Sequence, residues 1–203
     1  MLSKSILEIA KNNRHKFVGS LMHSKIRRVI DDIFKEYQIK TKIIRSKDIL
    51  KDDFFIGGYY QDFTVVLEIS VSSKTDHLIL TEKSVDNFLF VIAQVVCHEL
   101  IHYLQDLARY DHSPSLRHMR DYSDTEQQYL SDPDEIQAYA HDIAMELQRH
   151  YPDDVFGALR KIGTKRKSVS AKYYNKTFGK SDSKVRRRLL SHIYKWLTEK
   201  TWT

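Results

Sequence analysis

Apolar positions along the chain change period several times, and each change marks an element. Ile26, Val29, Ile30, Ile33, Phe34 and Tyr37 recur at helical spacing with Asp31, Asp32 and Lys35 off the stripe, which predicts an amphipathic helix. An earlier helix is expected around 3–12. The texture then turns β-rich, in short runs at 42–45, 54–56, 64–71 and 77–80. Turn-prone Gly57-Gly58, Gln61-Asp62 and Ser72-Ser73-Lys74 interrupt or join these runs. The expectation is a small sheet of three to four mostly antiparallel strands, with 54–71 as a hairpin.

From about Ser84 to Leu107 the pattern is helical and apolar almost all round, through Phe88, Leu89, Val91, Ile92, Val95, Val96, Leu100 and Leu104. A helix without a polar face belongs in a core. Asp111 to Ser131 is polar and reads as a loop. A further helix opens at Asp132-Pro133-Asp134-Glu135 and carries Ile136, Ala140, Ile143, Ala144 and Leu147 on one face. Pro152 predicts another helix start, 163–180 reads as a basic connector, and a last helix from about Asp182 has Val185, Leu189, Ile193, Trp196 and Leu197 as its stripe. The fold class expected is α+β. Residues 1–160 form one domain, with a basic connector and C-terminal helix over 161–203 packed on it.

Within the apolar helix stands His98-Glu99-Leu100-Ile101-His102. A four-residue step turns a helix by 400°, so the two imidazoles lie about 40° apart and one turn removed, close enough to share one cation. Glu99 is rotated by about 100° and reaches past that cation, where a base is needed to take a proton from water held by the metal. Neutral imidazole suits zinc (Zn2+), which brings the pKa of its water to about 7. Cys97 points away from the two-histidine face and reads as a small core residue.

A catalytic zinc needs a third protein ligand and an open position. The metzincin spacing fails, because Gln105 and Ala108 stand where a glycine and a third histidine would be. His112 and His118 in the polar stretch are alternatives, and Glu135 is the stronger candidate. It lies in the first turn of the next helix at the border of its apolar stripe, with small Ala138 allowing close approach. The competing reading makes Asp132 an N-cap, Pro133 the first helical residue and Glu135 a capping-box glutamate.

An HExxH helix preceded by a small sheet and followed by a helix bearing Glu135-x-x-Ala138 resembles the gluzincin zinc metallopeptidases, including their minimal single-domain members. The resemblance covers roughly 25–150. It implies zinc bound by His98, His102 and Glu135, Glu99 as the general base of peptide hydrolysis, and a protein or peptide substrate docking as an extra strand on the sheet edge. Many gluzincins have an aspartate after the alanine of this motif; here Tyr139 stands there, and Asp142, on the same face as Glu135, is the candidate to support a zinc histidine. Tyr139 is taken as the donor to the reaction oxyanion, with His141, Tyr129, Tyr122, His112 and His118 as further candidates.

Charge adds a second theme. Residues 160–203 hold 14 Lys and Arg against 2 Asp and Glu, while 1–159 hold 19 against 25. Lys165, Arg166, Lys167, Arg186, Arg187 and Arg188, interleaved with tyrosines, suit a polyanion such as nucleic acid. A non-enzymatic binding or structural protein that uses this basic segment is therefore the alternative function. A single cysteine among 203 residues gives no internal disulfide. No uninterrupted apolar run approaches 18 residues, and the first residues lack a secretory pattern, so no membrane partner and an intracellular, cytoplasmic location are expected.

Overall fold

The computed structural model describes residues 2–112, 125–162, 168–179 and 183–198. Its chain is α+β and falls into two compact units, Met1–Tyr103 and Leu104–Trp202. The division lies inside one unbroken helix.

The first unit contains α1 (Leu2–Asn12), β1 (Gly19–Met22), α2 (His23–Ile33), β2 (Ile39–Ser46), β3 (Phe54–Gln61), β4 (Thr64–Ser72), β5 (His77–Leu80) and most of α3 (Glu82–His112). The strands form two sheets where one was expected. β1 pairs antiparallel with β5, and a three-stranded sheet has the order β2-β4-β3. That sheet is mixed and not mostly antiparallel, because β2 runs parallel to β4 from Ile39↔Val65 to Ser46↔Ser72. β4 takes the middle place, and its nearly continuous buried run, Val65, Val66, Leu67, Ile69 and Val71, is that of a strand covered on both faces.

The hairpin is present, and of the two turn-prone pairs within it the reversal overlaps Gln61-Asp62 and not the glycines. Gly57 and Gly58 lie within β3, opposite Glu68 and Leu67. The chain reverses at Asp62 and Phe63, both left-handed at φ 48° and 60°, the paired geometry of a tight two-residue hairpin turn. Phe63 adopts this costly conformation with its ring set edge-on to Tyr103 at 6.5 Å. Phe88 of α3 meets Phe17 at 5.8 Å and Phe54 of β3 at 5.0 Å, tying helix to sheet.

The stretch Glu82–Arg109 of α3 is long and apolar enough to cross a membrane. In this fold its apolar character serves the core. Seven successive residues, Val96 to His102, are all buried, Cys97 among them as a core residue.

The second unit contains the end of α3, then α4 (Glu126–Ser131), α5 (Pro133–His150), α6 (Val155–Arg160), α7 (Val169–Phe178) and α8 (Ser183–Thr198). Ile136, Ala140, Ile143 and Leu147 of α5 pack with Leu130, Ala171, Tyr174, Leu189 and Ile193 from the helices around it. Two segments read as irregular are helical. Thr125 and Gln128 form a reciprocal capping box that starts α4. In the stretch read as a connector, Ser168 caps α7 by accepting from the Ala171 amide at 3.0 Å. Ser168 Oγ in turn donates to Glu146 of α5 at 2.5 Å, and Ser170 Oγ donates to the same carboxylate at 3.1 Å. A buried glutamate thus pins the start of α7 to α5.

Candidate metal centre

α3 carries the two histidines. His98, Glu99 and His102 are 8%, 7% and 4% exposed, so Glu99 is not a solvent-facing residue. The imidazole centroids are 5.0 Å apart and their planes are inclined at 75°, as the four-residue step requires. Beside Glu99 passes β3. A Cβ built on Gly58 would come within 3.2 Å of Glu99 Cγ, 3.1 Å of the Val66 carbonyl and 2.7 Å of Val95 Cγ1. Gly58 is therefore where strand and helix approach too closely for any side chain.

α5 supplies the carboxylates. Its N-terminus is capped by Asp132, whose side chain accepts from the Asp134 amide at 2.7 Å, with Pro133 as the first helical residue. Gln105, late in α3, donates to the Asp134 carbonyl at 3.3 Å and to Gln137 Oε1 at 3.1 Å. Arg109, one turn on, pairs with Asp134. These bonds hold the first turn of α5, and hence Glu135, against the last turns of α3.

Glu135 is 8% exposed. His98, His102 and Glu135 each offer one donor atom, and these donors all lie within 4.8 Å of one another. Two imidazoles and a carboxylate at such separations are a donor set that suits zinc. No protein-family model matches the chain, no curated protein is similar to it, and no solved structure matches it. The reading of the site therefore rests on its own geometry.

The other expected site residues have surroundings of their own. Tyr139 packs its ring on Tyr173 and Tyr174 of α7, at centroid distances of 5.9 and 5.4 Å. Burial, with the charges of Glu135 and Asp142, pushes its phenol far above the usual range, so it stays protonated. Tyr173 is pushed up to about 12, first by burial and then by a hydrogen bond with Glu126. Asp142 is buried on α5, seven residues beyond Glu135 and near enough to Tyr139 and Tyr174 to raise both. His141 is turned toward α8, where its ring lies 5.3 Å from Trp196. Tyr129 hydrogen-bonds with Tyr139. His118, Tyr122, Lys165, Arg166 and Lys167 lie outside the described residues, as does the side chain of His112. Of the described arginines, Arg187 and Arg188 are exposed and Arg186 is half-buried.

Sequence reasoning missed Gly58, which it took as part of a turn. The signal was present: two glycines inside a run of β-formers mark a close backbone approach as readily as a reversal.

Proposed function

We propose that the chain is a zinc-dependent metallopeptidase of the gluzincin kind, hydrolysing peptide bonds in a protein or peptide substrate. The observation that carries this reading is the convergence of His98, His102 and Glu135 donors within 4.8 Å, with Glu99 one residue along the same buried helix. His98, His102 and Glu135 are the residues that would hold the ion. Zinc supplies Lewis acidity, polarising a carbonyl and making water a usable nucleophile at neutral pH.

Glu99 has the remaining chemistry. Its carboxylate accepts the proton as water adds to the peptide carbonyl, then returns it to the departing amine. The low-dielectric surroundings of a buried helix strengthen each of these electrostatic interactions. β3 supports a substrate path. It is an edge of the β2-β4-β3 sheet, and its Gly58 abuts Glu99. A substrate strand hydrogen-bonded along such an edge would run past the proposed base. Tyr139, turned toward α7, is not retained as the favoured oxyanion donor.

The test is metal content and proteolysis of two variants measured side by side. Glu99→Gln should keep zinc and lose turnover, whereas Glu135→Ala should lose zinc. Full turnover in Glu99→Gln would remove the enzymatic reading.

A further inference from the structure

Helix α8 contains no aspartate or glutamate, yet carries Lys184, Arg186, Arg187, Arg188 and Lys195. At 100° per residue, Lys184, Arg187, Arg188 and Lys195 fall within an arc of about 100°, and all four are exposed. Val185, Leu189 and Ile193 are buried on the other side of the helix. Half-buried Arg186 is off the row. From Lys184 to Lys195 the row runs about 16 Å along the axis, long enough to face several successive phosphates. At its edge stands Tyr194, 57% exposed, and 5.7 Å from its ring lies that of Phe156 of α6, 38% exposed.

We propose that this face of α8 docks a single-stranded nucleic acid, the four cations on its sugar–phosphate backbone and the Tyr194–Phe156 pair against its bases. The row of like charges complements a polyanion, and exposed rings beside it supply the stacking that unpaired bases use. An anionic membrane is the less suitable partner. A helix that lies in a lipid surface inserts its apolar face, and the apolar face of α8 is already buried against the rest of its unit. Half-buried His192 reads the same field: burial lowers its pKa, and the charges of Lys195 and Arg188 lower it further. The inference stands on the second unit alone and does not depend on the peptidase reading.

The experiment uses the full chain and a fluorescein-labelled single-stranded 20-mer of mixed sequence, with anisotropy followed from 50 to 300 mM salt. Four backbone contacts predict a log–log salt slope of about −3. Arg187→Gln/Arg188→Gln should cut the magnitude of that slope by roughly 1.4, in a protein whose circular-dichroism spectrum shows it folded. Tyr194→Ala should weaken binding roughly tenfold with the slope retained. The His192 resonances should titrate at higher pH in the complex. Absence of binding at 50 mM salt would overturn the proposal. So would an unaltered slope in the double variant, an equal loss in a Lys40→Gln/Lys42→Gln control, or tighter binding to the corresponding duplex or to phosphatidylserine vesicles.

Discussion

Replacing Gly58 by alanine tests the contact on which the strand–helix arrangement turns. The added methyl would stand 2.7 Å from Val95 Cγ1, closer than carbon atoms are found, and 3.1 Å from the Val66 carbonyl oxygen. Neither neighbour yields easily: the Val95 side chain is β-branched and stiff at χ1, and the carbonyl belongs to the central strand of the sheet. Overpacking of this kind costs about 1–3 kcal/mol. For a chain of this length that is a fall in melting temperature of roughly 2–12 °C. The companion variant is Val95→Ala, which removes the nearest clashing methyl. Alone it opens a small cavity and destabilises; combined with Gly58→Ala it should restore stability, so the two effects fail to add by about 1 kcal/mol or more. Urea unfolding of the four proteins measures this directly. Strict additivity, or a Gly58→Ala protein as stable as the parent, would refute the claim that β3 and α3 touch here. Because the same methyl would stand 3.2 Å from Glu99 Cγ, Gly58→Ala should also depress any hydrolytic turnover while leaving zinc content intact.

Three further outcomes follow from the structure. Glu146→Ala leaves Ser168 Oγ, Ser170 Oγ and the Ser170 amide without their buried acceptor and should cost about 3 kcal/mol in urea unfolding, with early hydrogen exchange across α7 and less effect from Glu146→Gln. Buried His23 is pushed below its ordinary value of 6.5 by burial and then by Arg45, against the opposing charge of Asp76. The unfolded chain therefore binds the extra proton, stability falls as pH drops below about 6.5, and His23→Leu should flatten that slope in unfolding measured from pH 7.5 to 5. Zinc at a hundred times its Kd should add about 2.7 kcal/mol, a rise of roughly 5–11 °C in thermal shift that Glu135→Ala abolishes.

What the sequence made legible was whatever is local in origin. The stripe on α2, the hairpin strands, the all-round apolar character of α3 and the capped start of α5 are each written in a window of a few residues. Features decided at a distance were not legible. β1 has four residues of which only Leu21 is buried, too few for a period to register, and it exists because β5 pairs with it. The parallel register of β2 on β4 joins segments two dozen residues apart and leaves no mark in either. α7 reads as a solvated basic connector until Glu146 is seen to anchor Ser168 and Ser170. At the candidate site the motif on α3 was plain. For Glu135 local pattern offered two roles, cap or ligand, and nothing in its own window chooses between them.

The desolvation of that group gives a prediction of its own. Taking an ionised carboxylate out of water costs several kcal/mol even after relaxation, and imidazoles lose hydration as well. His98, His102 and Glu135 are each less than a tenth exposed. A divalent cation would turn part of this cost into binding energy, whereas in a metal-free chain only the protein's own contacts offset it. If so, the triple variant His98→Leu, His102→Leu, Glu135→Leu, which keeps roughly the same side-chain volume without the polar atoms, should match or exceed the parent in stability when both are unfolded in excess chelator. By the behaviour of other buried polar triads the gain is about 1–4 kcal/mol. The same variant should show no response to zinc. A triple variant markedly less stable than the chelated parent would mean that the contacts these side chains make within the protein outweigh their desolvation, and the donor set would then argue for a structural polar network and no longer for a metal.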